Sequence, residues 1–411
     1  MHTPALSLHP CLAVACYIFL AACGGTVGSR GPAGGGTAAP QLLMADGAQV
    51  ANVRDSLRRG EPQFQAALAA LEKDANRGLT VAPMSVMDKG VTPPSGDKHD
   101  YMSQAPYWWP NPSKPGGKPY VLRDGQRNPE IDKITDRTNL QRLARTAFSL
   151  ALAYYFTGRQ EYAQHAAELV RVWFLNAPTR MNPNLNFGQG IPGIAKGRAA
   201  GIVETRFLPQ IIDSVTLLQN SSAWAGSDDQ GFKKWMSAYL EWLQESSVGR
   251  DEATRGNNQE TWYDVQVTAL AIYTGQANVA RAILQRAQAD IGEEFEPGGE
   301  QPRELARTRS WDYSIFDLTA FLHLAALGNR LGIDLWNYQT PDGRSLRKGV
   351  DYLIPFATGQ KRWPHKQITP FRASALHPVL RLAAVGWNDP RYRATAQQIG
   401  GTTPILDLTF P

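Results

Sequence analysis

The 411-residue chain carries 42 Lys+Arg against 37 Asp+Glu, for a net charge of +5 and a pI near 9.0. Its basic residues are scattered rather than gathered into a stripe. That pattern excludes no anionic partner but makes nucleic acid the weakest one, behind anionic lipid and acidic polysaccharide. Eleven Trp and fourteen Tyr favour the polysaccharide, because aromatic faces stack on the C–H faces of sugar rings.

The first 22 residues read as an export signal. "CLAVACYIFLAAC" is apolar but too short to span a bilayer comfortably, and small residues follow it. Leu20-Ala21-Ala22-Cys23-Gly24 resembles the lipobox of bacterial lipoproteins. The resemblance implies cleavage before Cys23, acylation of its thiol and a periplasmic, membrane-tethered protein. Residues 23–41, rich in Gly, Ala and Pro, form a flexible tether that cannot pack a core. All three cysteines, Cys11, Cys16 and Cys23, fall in this leader, so the mature chain has no disulfide, thiol nucleophile or Cys-ligated metal. Residues 42–411 are expected to form one long, monomeric domain.

Residues 89–135 hold too much Pro and Gly for helix and too many aromatics for disorder. They read as an ordered loop lying across the domain, the kind of segment in which function concentrates. From residue 138 the pattern becomes helical. "NLQRLARTAFSLALAYYFTG" puts Leu140, Leu143, Ala147, Leu150, Ala151 and Tyr154 on one stripe that stops at Gly158. "QEYAQHAAELVRVWF" follows at once and runs back. "SDDQGFKKWMSAYLEWLQ" offers Ser227 and Gln230 as a capping box and Phe232, Trp235, Tyr239, Trp242 and Leu243 as its buried face. Short-loop helical pairs continue to "RKGVDYLIPFATG". Antiparallel helix pairs without an exact repeat predict an all-α (α/α) toroid, with inner helices ringing a cleft and long loops on one rim.

Six segments carry a family resemblance: "GDKHDYMSQAPYWWPNPSKPGGKPY", "NPEIDKITD", "MNPNLNFGQGIPG", "NNQETWYDVQ", "QPRELARTRSWDYS" and "DLWNYQTPDGRSLRKGVDYLIP". In this order, from about residue 85 to 365, they resemble the alginate lyase domain of secreted bacterial polysaccharide lyases. The resemblance implies the (α/α) toroid, β-elimination of a 4-linked polyuronate, and no metal or organic cofactor. It also implies that Asn258 and Arg307 neutralise the substrate carboxylate and that Tyr313 is base and acid. The chemistry independently needs such groups. The C5 proton of a uronate is barely acidic while the neighbouring carboxylate is charged, so preorganised donors must hold the developing dianion. Arg and amide N–H groups suit this, and a cation beside a Tyr would lower its pKa from about 10.

Asn257, Arg309, Asn186, Gln189, Lys98, His99, Tyr101, Trp108 and Trp109 are candidate substrate-binding residues. His365 ranks behind His99, and His323 reads as core. Each has a plainer reading: Asn257 and Asn258 as helix caps, Arg307 or Arg309 paired with Glu304 or Asp312, Tyr313 as a core tyrosine, and the Trp pair as a brace. The departure from the family pattern is Gln259, where the relatives have His. Gln can donate a hydrogen bond but cannot take a proton or carry charge. A polyuronate-binding protein without full activity is therefore the second reading. A toroid glycoside hydrolase drawing on Asp264, Glu304 and Asp312 is the third.

Overall fold

Two helices stand before the periodic region, α1 (Gly47–Arg58) and α2 (Gln65–Gly78). Asp46 caps α1 by accepting from the N–H groups of Ala48 and Gln49. Their shorter apolar faces left them unread in the sequence. In this computed structural model residues 38–411 are described. The export signal, Cys11, Cys16, Cys23 and nearly all of the tether lie outside them.

The first stripe folds as α3 (Asp136–Thr157), which buries Leu140, Leu143, Ala147, Leu150 and Ala151 and leaves Tyr154 half-buried. Gly158 ends it in the left-handed region (φ 75°), so α4 (Gln160–Phe174) can turn back within two residues. Next come α5 (Leu208–Leu218), α6 (Gly226–Glu245) and the short α7 (Ser247–Glu252). The start of α6 differs from the expected capping box. Asp228, rather than Ser227 with Gln230, accepts from the Ala225 N–H (3.0 Å), and the helix begins at Gly226.

α8 (Asn258–Thr274) and α9 (Ala277–Glu294) form the next pair around Gly275 (φ 81°). The one-turn α10 (Pro302–Leu305) leads into α11 (Ser310–Asn329), and α12 (Leu346–Ala357), α13 (His377–Gly386), α14 (Pro390–Ile399) and α15 (Pro404–Thr409) complete the order. Helices α3, α5, α8, α11 and α13 pack side by side in sequence as an inner row. Each is backed by outer partners: α2 and α4 on α3, α4 also on α5, α6 and α9 on α8, α12 on α11, α14 on α13. The arrangement is an (α/α) toroid, as the periodicity predicts. Inner helices touch neighbours all round, which explains why α8 and α11 are buried on nearly every face. No described helix is long and apolar enough to cross a membrane.

The 89–135 segment is the ordered rim loop expected. β1 (Met102–Gln104) pairs in parallel with the later β4 (Phe187–Gly190), and β2 (Trp108–Trp109) pairs antiparallel with β3 (Val121–Leu122). Its start is pinned by Lys89, whose Nζ lies 3.0 Å from the Asp136 carboxylate with both side chains fully buried. Asp136 also accepts from the Met102 N–H (2.9 Å). The loop is thereby fixed to the first residue of α3, next to Arg137.

Candidate active site

A cleft of about 650 Å³ opens where the rim loop meets the ends of the inner helices. Its lining includes Tyr107 and Asp124 from the rim loop, Arg137 from α3, Gln189 from β4, Arg198 and Arg206 around the 199–205 turn, Asn257, Asn258 and Gln259 at the start of α8, and Arg307, Arg309, Asp312 and Tyr313 at the start of α11. Five guanidinium groups thus face two carboxylates, and both carboxylates are already spoken for. Asp124 pairs with Arg307 (2.7 Å) and Asp312 with Arg309 (2.7 Å). Among the described residues Arg198 and Arg206 have no ion-pair partner.

Tyr313 sits under Arg307, with the guanidinium carbon 3.8 Å from the ring centroid. Its hydroxyl donates to the Tyr107 hydroxyl (2.9 Å). The rim loop is tied to this spot through Asp124, which accepts from Arg307 Nη2 and from both the N–H and hydroxyl of Thr308. The sequence predicts a tyrosine acidified by its cation. The structure corrects that: burial raises the Tyr313 pKa, Tyr107 adds to the rise, and Arg307 only opposes it. The raised pKa favours the protonated phenol at neutral pH.

The amides also divide their work differently from the expectation. Asn257 is the N-cap of α8, its Oδ1 accepting from the Gln259 N–H (2.9 Å), yet its side chain still lines the cleft. Asn258 is buried but lines the cleft, and its Nδ2 donates to both oxygens of Glu304 (2.9 Å each), which share one side of the amide nitrogen. Gln259 lines the cleft, and among the described residues its side chain makes no hydrogen bond. Glu260 turns away: it is buried, accepts from the Gly256 N–H (2.6 Å) and does not line the cleft.

Gln189 reaches the cleft in a strained conformation, φ 49°, rare for a residue with a side chain. Its N–H donates to Ser103 Oγ (2.8 Å) and its Oε1 accepts from Arg198 Nη2 (2.6 Å). Tyr101 is not a substrate contact. It is fully buried and donates to Glu204 (2.8 Å), as Ser103 does (2.6 Å), while Arg137 Nε lies 3.5 Å from the same carboxylate. Tyr101 therefore supports an arginine of the cleft from behind.

The remaining candidates stand outside the cleft lining. Lys98 Nζ donates to the Met87 carbonyl, and His99 Nδ1 lies 2.6 Å from the Arg180 carbonyl. Trp109 donates to the Gln126 carbonyl and lies against Arg123, and Trp108 is its neighbour in β2, so the pair braces the rim hairpin. Asn186 accepts from Trp242 Nε1. His365 pairs with Tyr352, and His323 is buried with its pKa pushed down to about 4. Of the carboxyls a hydrolase would need, Asp264 is buried against Arg286 and Glu304 is buried behind Asn258. Glu260, Asp264 and Asp290 gather oxygens within 4.8 Å, but Arg286 pairs with all three and supplies the cation there.

Tyr107, Asp124, Arg137, Arg198 and Arg206 are site residues that sequence reasoning misses. Tyr107 had a signal, since it adjoins the Trp pair in "APYWWP". The arginines had none, because 101 to 170 residues separate Arg137, Arg198 and Arg206 from Arg307.

The family model for alginate lyase matches residues 85–363. The crystal structure of an alginate lyase from Bacteroides ovatus is similar over 90% of this chain and 99% of its own, at 39% identity and a TM-score of 0.86. Alginate lyase A1-III from Sphingomonas species A1 shares the fold over 91% of this chain and 97% of its own, at 15% identity and a TM-score of 0.57. A His-to-Ala variant of A1-III, complexed with a tetrasaccharide, aligns equally well (TM-score 0.58, 15% identity, 91% and 97% covered). No curated protein matches. A family match across most of the toroid, with the arginine-lined cleft inside the matched span, places this chain in the alginate lyase family of polysaccharide lyases.

Proposed function

We propose that the protein cleaves a 4-linked polyuronate, alginate or a close relative, by β-elimination. The observation that carries this reading is the cleft itself: five arginines, two without carboxylate partners among the described residues, around a tyrosine hydroxyl. Such a surface suits a chain of sugar carboxylates. In the reaction a base takes the C5 proton, the electron pair forms the C4–C5 double bond, the C4–O bond breaks, and the leaving oxygen takes a proton. Arg307, fixed by Asp124, would hold the uronate carboxylate and stabilise the dianion. The N-terminus of α8, with the Asn257 and Gln259 side chains, adds donors and a favourable dipole. Tyr313, protonated at rest, is ready to protonate the leaving oxygen. As base it must first give up that proton, passed along the hydrogen bond to Tyr107 as the half-buried Tyr107 hydroxyl releases its own to solvent.

The test is to incubate the protein with a panel of polyuronates and follow the near-ultraviolet absorbance of the 4,5-unsaturated product. Saturable binding with no product after long incubation would replace the lyase by a polyuronate-binding protein, the reading favoured by Gln259. A hydrolase product would lack the unsaturated chromophore. We also propose that acyl chains on Cys23 tether the protein in the periplasm, on the strength of the lipobox-like Leu20–Gly24 alone.

A further inference from the structure

Glu304 has no role in the expected machinery, yet it is the group that Asn258 touches most. The carboxylate is 1% exposed and Asn258 3%. Glu304 Oε1 accepts from the Asn258 backbone N–H (3.0 Å) and from its Nδ2 (2.9 Å), and Oε2 accepts from the same Nδ2 (2.9 Å). Burial raises its pKa, while the Asn258 bonds, Arg307 and Arg303 pull the other way. Behind it lies a further acid, Asp317, which accepts from Thr261 and Gln301 and is pushed up to about 8 by burial and by Glu304. A buried carboxylate with another acid at its back is an expensive choice for simple stability, and an apolar side chain would generally serve better.

The chain position of Glu304 gives that cost a purpose. It lies in α10, three residues before Arg307, whereas Asn258 opens α8. One residue earlier, Arg303 donates to the Gly256 carbonyl. The segment carrying Arg307 is thus clamped to the segment carrying Asn257, Asn258 and Gln259 at two points, and only the Glu304 point grips a side chain of the cleft lining. We propose that Glu304 is a positioning residue: it fixes the orientation of the Asn258 amide and holds it in register with Arg307, so that both meet one substrate carboxylate as a unit. This rests on the lyase reading above. The backbone contact alone would be an ordinary helix cap; the two Glu304 oxygens lie to one side of Nδ2 and share one of its hydrogens, which fixes the amide and leaves its second N–H for the substrate carboxylate.

Glu304→Gln tests this with little change of shape. One acceptor becomes an NH₂ group opposite Asn258 Nδ2, donor against donor, and the Asn258 amide must turn over or withdraw. We expect kcat to fall about ten- to a hundredfold, the scale of a misplaced catalytic group, with a smaller change in KM. The deciding measurement is a double-mutant cycle with Asn258→Ala. That substitution keeps the backbone N–H, so a mere capping role leaves the full Glu304→Gln penalty in the Asn258→Ala background. A positioning role makes the penalty vanish there, to within about twofold. Multiplying penalties, or a folded Glu304→Gln variant with wild-type kcat, would overturn the proposal. If Glu304→Gln fails to fold, Glu304→Asp keeps the charge but loses the reach, and enters the same cycle. A folded wild type that yields no unsaturated product sinks the lyase reading instead. The cycle is then read on oligouronate affinity, where independent losses or none at all refute the role of Glu304 and coupled losses sustain it.

Discussion

Tyr313→Phe removes a single oxygen from the cleft, and the structure states what goes with it. The ring keeps its stack under Arg307 at 3.8 Å. The hydrogen bond to Tyr107, 2.9 Å long, is lost. Tyr107 is half-buried, and solvent can satisfy its hydroxyl. A neutral bond of this kind is worth about 1 kcal/mol, which in a domain this large moves Tm by only about 2 °C. The effect on rate is of another order. A positioned general acid or base contributes about 10²–10⁴-fold, or about 3–5 kcal/mol of barrier at 1.36 kcal/mol per tenfold. Because one phenol is proposed to serve both proton transfers, the loss should fall toward the upper end. It should appear in kcat, with KM and oligouronate affinity nearly unchanged, since the hydroxyl adds little to ground-state binding. The assay is the initial rate of unsaturated product beside a binding titration and a thermal melt. A Phe variant that kept a third of the wild-type kcat would make Tyr313 a packing residue and remove the centre of the mechanism.

Gln259→His should raise kcat more than it lowers KM, most clearly on a uronate whose C5 proton lies on the face away from Tyr313; equal rates on every polyuronate would remove any proton role from this position. Because Glu260 is buried and turned to Gly256, the single substitution suffices. Stability should fall as pH rises from about 4.5 toward 8. Glu252 is fully buried with neither oxygen hydrogen-bonded, and burial pushes its pKa up to about 8, so the folded chain keeps a proton that the unfolded chain releases. One such group gives a slope of up to about 1.4 kcal/mol per pH unit. Asp264 and Asp317, likewise pushed up to about 8 chiefly by burial, add to the fall, so Glu252→Gln should lessen the stability difference between pH 5 and pH 8 in urea melts, and an unchanged difference would remove Glu252 from it. Cys23→Ala should move the protein from the membrane to the soluble periplasmic fraction with its activity intact; a variant still in the membrane fraction would refute acylation as the tether.

The toroid was legible because helix periodicity is a local signal. The stripe from Leu140 to Ala151 is a statement about one helix, and Gly158 marks its end without reference to anything distant. Tyr313, Arg307 and Asn257–Gln259 were legible because the family motif keeps them in two short segments. Arg137, Arg198 and Arg206 were not, since an isolated arginine reads as a solvated surface charge until the fold brings three walls together. Tyr101 failed for the opposite reason. It lies inside a motif segment, but just before β1, and its side chain, like that of Ser103 two positions on, turns inward to Glu204. A motif places a segment at a site; it does not say which face of the segment the substrate meets.

That distinction bears on Gln259 as well. A histidine there would bring a proton acceptor, a donor and, when protonated, a charge. The donor survives in Gln, and the cleft has charge to spare, with Arg198 and Arg206 unpaired and the α8 N-terminus pointing positive end first. A second proton acceptor is the one function no neighbour replaces, because Asp312 is tied to Arg309 and Asp124 to Arg307, and Tyr313 serves only its own side of the sugar. The substitution should therefore narrow the enzyme rather than disarm it. Substrate recognition and carboxylate neutralisation stay, and elimination is left to whichever C5 proton Tyr313 can reach.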